Sequence, residues 1–339
     1  MIISRRATVA SLLAAPVVFR AGQARAAAKT IKISHQFPGG TLTEGDFRDR
    51  LVRIFARDVS AATNNELAFE IYAGSSLMKT VAQFSALRHG ALDMSLYPLA
   101  YAGGEVPEVN IGLMPALVSS YAQGLAWKNA AIGTELTAVL DKRGVKIITW
   151  IWQAGGVASR STGIVSPDDT KGLKIRGGSR EMDQLLKGAG GIISSVTSDE
   201  TYAAMQTGTL DAAVTSSTSL ISFRLNEISK AVTTGRQGSF WFMLEPLLMS
   251  KEVYDALTPD QQKAISKVGA DMEAFALKSA QEDDQRLAEI YGKAGVKVAD
   301  FNAEALGKWK TIAEATAWED YAKRNAACAN LLKLAQAVA

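Results

Sequence analysis

Apolar and polar residues alternate through "TIKISHQF" (30–37), a pattern that predicts a strand ending near Gln36 and Phe37. Phe47, Leu51, Ile54, Phe55 and Val59 then recur at helical spacing, and "ELAFEIYAG" (66–74) alternates again. Strand, helix, strand in this rhythm predicts a crossover and a parallel sheet, continued by a helix around residues 81–87 and the strand "LDMSLYP" (92–98). A single further strand is expected at "VKIITWIWQ" (145–153). A second strand–helix series begins at "GLKIRGG" (172–178) and runs through "IISSV", a helix around 199–205 and "LDAAVT" (210–215).

Two stretches echo each other. "ALRHGALDM" (86–94) and "AMQTGTLDAA" (204–213) share the order helix end, glycine, one residue, Leu-Asp, strand. Gly90 and Gly208 suit a left-handed helix cap, and Asp93 and Asp211 begin the strands; chance similarity over nine residues is the alternative. After "FWFMLEPLLMS" (240–250), Thr258, Pro259 and Gln261 form a capping-box start. The periodic run from Ile265 to Ile290 has no proline and only Gly269 inside it, which predicts a helix of about 33 residues and about 50 Å.

The expected fold is α/β and two-lobed, with that helix spanning both lobes. The first lobe comprises 27–150 plus 236–265. The second comprises 151–235 plus 266–339, including the spanning and C-terminal helices, with hinges near residues 150 and 235.

The first 26 residues read differently. Arg5 and Arg6 precede an apolar run to Phe19 and small residues at Ala24 and Ala26, the grammar of a cleaved export leader, a run of about thirteen residues being short for a membrane helix. The twin arginine after Ser4 suggests the folded-protein export route, while Thr8 departs from it. An uncleaved anchor is the alternative. Losing Arg5, Arg6, Arg20 and Arg25 takes the formal charge from +3 to −1, which removes the main support for nucleic-acid binding. With Cys328 alone, no intrachain disulfide forms and stability must come from the core.

No Gly-x-Ser-x-Gly, phosphate loop, His-Glu-x-x-His or Cys-x-x-Cys occurs. His35 and His89 are the only histidines, so neither a metal nor another cofactor is expected. His35 fits a ligand contact or a structural strand-end bond equally, and His89 fits a solvated helix cap. The serines and threonines of "TSSTS" (215–219) lack a nearby base and suit hydrogen bonding better than nucleophilic attack. In "KGLKIRGGSR" (171–180), Arg176 ends a strand on the side where open parallel sheets place ligands, with Gly177 and Gly178 leaving room. A guanidinium there can hold a carboxylate through two parallel bonds; a surface ion pair is the plainer reading of the same residue.

With "SPDDTKGLKIR", "ETYAAMQTGTLDAA", "LRHGALDM" and "YDALTPDQQKAI", essentially the whole chain after the leader resembles the solute-binding subunit of tripartite ATP-independent periplasmic (TRAP) transporters, dicarboxylate-receptor (DctP) type. The resemblance implies a periplasmic two-lobed receptor, not an enzyme, that closes on an organic acid and delivers it to an ion-driven membrane permease. It makes Arg176 the carboxylate partner. It also marks two departures. Where the family carries Gly-x-Arg about twenty residues upstream, this chain has Gly156, with Arg160 four residues on. Where it carries Asp-Gly-x-Glu-Asn, this chain has Asp211 to Thr215, so hydroxyls of Thr215 and Ser216 stand in for the asparagine. The missing second arginine favours a monocarboxylate, and Tyr97, Trp152 and Trp241 near the cleft positions suit a bulky or aromatic body or, alternatively, core packing. Gln36, Phe37 and Ser179 complete the expected ligand site. A receptor for an ATP-driven importer and an exported carboxylate-processing enzyme are the competing functions.

Overall fold

The computed structural model describes residues 28–338; the expected leader lies outside them. Twelve strands are described: β1 Lys29–Ser34, β2 Leu67–Tyr72, β3 Met94–Leu96, β4 Val145–Thr149, β5 Trp152–Ser159, β6 Lys174–Arg176, β7 Ile192–Ile193, β8 Ala212–Ser216, β9 Ala231–Thr234, β10 Phe242–Leu244, β11 Leu247–Ser250 and β12 Lys297–Asp300. They form two sheets, β2-β1-β3-β11-β4 and β12-β9-β5-β8-β6-β7, with β10 joined to β5. The two-lobed α/β plan follows the sequence reading, but the sheets are mixed rather than parallel. β11 runs antiparallel to β3 and β4, and β5 runs antiparallel to β8, β9 and β10.

The strand expected over 145–153 is two strands, β4 in one sheet and β5 in the other, separated by Trp150 and Ile151. The return crossing lies at Glu245–Pro246, not near 236, because Phe242–Leu244 pairs with β5 before Leu247 joins the first sheet. The two crossings touch: Glu245 N–H donates to the Ile151 carbonyl at 2.8 Å.

The helix Phe47–Ala62 starts where the Asp46 carboxylate accepts the Arg48 N–H, and it buries Leu51, Val52, Phe55 and Val59 against Ile31 and Ile33 of β1. Each such side chain contributes about 1.5–3 kcal/mol of burial. The long helix, Pro259–Lys293, begins at the expected capping box of Thr258 and Gln261 and covers 35 residues, about 52 Å at about 1.5 Å per residue. Its Ile265, Val268 and Met272 join the apolar cluster of the first sheet, while Leu287 and Tyr291 join that of the second. Gly269 is required where the helix crosses β4, since a Cβ there would lie 2.6 Å from the Ile148 carbonyl oxygen.

The internal echo is real at both ends. Gly90 and Gly208 take φ of 65° and 79° after helices Thr80–Arg88 and Thr201–Gln206. Asp93 Oδ2 then accepts the N–H of Lys32 on β1, and Asp211 Oδ2 accepts that of Lys174 on β6. Each aspartate ties its incoming strand to the parallel strand beside it.

Candidate functional site

Arg176, at the C-terminal end of β6, is 2% exposed. Its Nε donates to the Val196 carbonyl at 3.0 Å, Nη1 to the Val214 carbonyl at 2.8 Å, and Nη2 to the Tyr101 hydroxyl at 2.7 Å. A guanidinium has five N–H donors, so one remains on each Nη. The glycine beside it has a direct role: Gly178 takes φ of +91°, and a Cβ there would lie 2.9 Å from the Arg176 Cζ. Among the described residues, Arg176 forms no ion pair. Asp183 feels the Arg176 charge without contacting it, so the buried guanidinium keeps two free donors suited to an anion.

Arg176 lines a narrow, partly enclosed space of about 10 Å³, room for about one water, together with Tyr101, Ser198, Thr215, Ser219, Trp241 and Glu245, and with apolar walls that include Pro98, Leu113 and Met243. Thr215 stands on β8, the strand next to β6. Trp241 lies flat on β5 because Gly155 has no side chain; a Cβ there would come within 2.5 Å of the indole ring. The Trp241 Nε1 has no partner. Tyr101 comes from the turn Leu99–Ala102 that follows β3, so residues carried by both sheets meet around this space. Its hydroxyl also accepts the Ser198 N–H at 3.0 Å. The C-terminal helices secure the Leu113 wall, with the Tyr321 hydroxyl donating to the Glu108 carbonyl at 2.7 Å.

Of the nine residues expected to touch ligand, the structure brings Arg176, Thr215 and Trp241 to this space. Gln36, Phe37 and Ser216 stand behind it. Phe37 is buried with the Arg48 Cζ 3.5 Å above its ring, and Ser216 caps the helix Ser217–Ser222 while its hydroxyl lies 3.4 Å from Arg48 Nη1. The Gln36 side-chain oxygen Oε1 lies 3.5 Å from the Thr80 hydroxyl, which with Ser75 approaches Asp199 across the cleft. Ser179 caps the helix Arg180–Gly188 and faces a more open depression with Val81 and Thr197. Tyr97 and Trp152 pack in the core instead, Tyr97 against Phe84 and Trp152 edge-on to Trp127. Arg160 follows Ser159, which pairs with Ala212 at the far end of β8, so it cannot serve as a second cleft arginine.

His35 serves structure: its Nε2 lies 3.2 Å from the Asp49 Oδ1, both side chains buried. Burial pushes the Asp49 carboxyl up, but hydrogen bonds from His35, Arg53 and the Gly40 N–H outweigh it and leave the group below its usual range.

Three residues went unrecognised. Tyr101 carried no signal beyond its aromatic ring. Arg48 sits on the apolar stripe of its helix, in step with Val52, Phe55 and Val59, which is a legible anomaly. It is fully buried, donating to Asp46 at 2.9 and 2.7 Å, to Glu245 at 3.2 Å and to Ser219 at 3.1 Å. Glu245 is the one charged residue within "FWFMLEPLLM". Burial pushes its carboxyl up to about 7 against the pull of Arg48.

The family model for bacterial extracellular solute-binding protein, family 7 (DctP) matches residues 39–324. The chain belongs to this family. A solute-binding protein of Albidiferax ferrireducens is 61% identical over 306 residues, 90% of each chain. A TRAP periplasmic solute-binding protein from Rhodoferax ferrireducens, solved with bound malonate, superposes with a TM-score of 0.90 at 60% identity, covering 91% of this chain and 98% of that one. The fold alone is shared with a TRAP periplasmic solute-binding protein from a Sulfitobacter species, solved with bound β-D-galacturonate (TM-score 0.82, 21% identity, 91% and 100% covered). As a DctP-family member the protein is an extracytoplasmic solute receptor, and delivery to a TRAP permease is the family's role. Among the described residues, no helix is long and apolar enough to cross a membrane.

Proposed function

We propose that the protein binds a small organic acid between its lobes, with the ligand carboxylate on the two free Nη donors of Arg176, and passes it unchanged to the permease. The supporting observation is a guanidinium that is almost wholly buried, held in place by two carbonyls and a tyrosine hydroxyl, with no carboxylate in contact among the described residues, and lining a narrow space at the junction of the two sheets. Thr215 and Ser219 add hydroxyls to the same space. The ligand carries one carboxylate, and its body is compact rather than bulky, since Trp241 is the only one of the three expected aromatics that lines the site. The malonate held by the 60% identical relative is a dicarboxylate, which bears on how a second acidic group is received.

Differential scanning of the leaderless protein with organic acids, each beside its primary amide, tests this reading. A binding acid should raise the melting temperature while its amide does not, because a ligand bound only to the folded state stabilises it. The acid should also be recovered intact after long incubation. Equal shifts by acid and amide, or loss of acid in excess over protein, would contradict it.

A further inference from the structure

Glu245 is 1% exposed and lines the same space as Arg176. Its Oε2 receives Arg48 Nη1 at 3.2 Å and the Gln153 amide nitrogen, but its Oε1 has no hydrogen-bond partner. An unmet buried acceptor of this kind is costly to leave without a donor. Arg48 lies between Asp46 and Glu245, and Arg176 faces the space on its own. With Glu245 ionised, the Arg48–Asp46–Glu245 group is a net anion, and Asp283 near Arg48 and Asp183 near Arg176 also face this region, so a second ligand carboxylate enters surroundings already rich in negative charge.

On the reading that Arg176 holds one ligand carboxylate, we propose that Glu245 selects the ligand by its other polar group. It accepts a hydrogen bond from a ligand hydroxyl or N–H, and it admits a second carboxylate only with one proton taken from solvent and shared between the two carboxyls. Two ionised carboxylates facing each other at so buried a position repel strongly, and proton uptake removes that repulsion while creating the missing donor. The carboxyl of Glu245, raised by burial to about 7, can take up that proton near neutral pH.

The test is titration calorimetry with matched probes: lactate against propionate, 2-hydroxyisobutyrate against pivalate, pyroglutamate against cyclopentanecarboxylate, and malonate alone. The donor-bearing member of each pair should bind about tenfold or more tighter. Malonate titrated in buffers of different ionisation enthalpy should take up close to one proton and weaken by up to about tenfold per pH unit between about pH 7 and 8.5, where malonate itself stays doubly ionised. Glu245→Gln should abolish that uptake and flatten the pH profile; if it fails to fold, the wild-type proton count decides. Equal affinity within the pairs, or malonate binding without proton uptake, would overturn the proposal and leave the Arg176 reading standing. Affinity lost to a chelator and restored by Ca²⁺, or affinity that appears only with added Na⁺, would assign the free oxygen to a cation and overturn it too. Failure of every acid to bind would instead sink the Arg176 reading on which it rests.

Discussion

Tyr101 reaches Arg176 from the turn after β3 and ties it to the Ser198 backbone, so its hydroxyl joins segments carried by the two sheets. Tyr101→Phe removes one acceptor shared by a charged and a neutral donor. The expected loss is about 1–2 kcal/mol of affinity, with little change in the melting temperature of the ligand-free protein, because the contact joins segments of the two sheets rather than packing the core of either. Unchanged affinity in calorimetry would show that the hydroxyl merely packs there. The placement of Arg176 was legible because its strand end and its glycines are local facts of "KIRGG", and the resemblance implied the carboxylate proposed for it. Tyr101, Arg48 and Glu245 were much less so. Their roles arise from segments some 70 to 200 residues apart that meet only in the fold. Tyr97 and Trp152 mislead for the same reason: an aromatic near a cleft in sequence can equally turn inward, and these do.

At the scale of elements, the two Leu-Asp echoes make a structural claim that can be separated from binding. Asp93→Ala and Asp211→Ala should each lower stability by about 0.5–1.5 kcal/mol, the worth of a partly exposed hydrogen bond, and leave ligand affinity within about twofold. Denaturant unfolding beside calorimetry checks both, and a large affinity loss in Asp211→Ala alone would place that aspartate in the site. The echo and the long helix were readable because each rests on local signals, a glycine cap or a capping box with no interruption after it. The antiparallel pairings of β5, β10 and β11 were not. An apolar run such as "FWFML" announces burial but does not say which sheet it joins, and Gly235 and Gly238 before it resemble a crossing that the chain makes only at Pro246.

At the scale of the molecule, two adjacent crossings and one helix packed on both sheets are what join the lobes. We place the hinges at residues 150–151 and 245–246. Closure then brings the Tyr101 and Asp199 contacts together only when the lobes meet, and Glu245 sits at the crossing itself, so what the ligand presents to it is read where the chain bends. The central claim is that closure is organised around an anion on Arg176. Calorimetry of the best-binding acid with Arg176→Lys tests it most directly, because lysine keeps the charge but not the pair of parallel donors. The account predicts a loss of about 1.5–3 kcal/mol, the range of a charged hydrogen bond, with a ligand-free protein that still unfolds cooperatively. Wild-type affinity in that variant would contradict it.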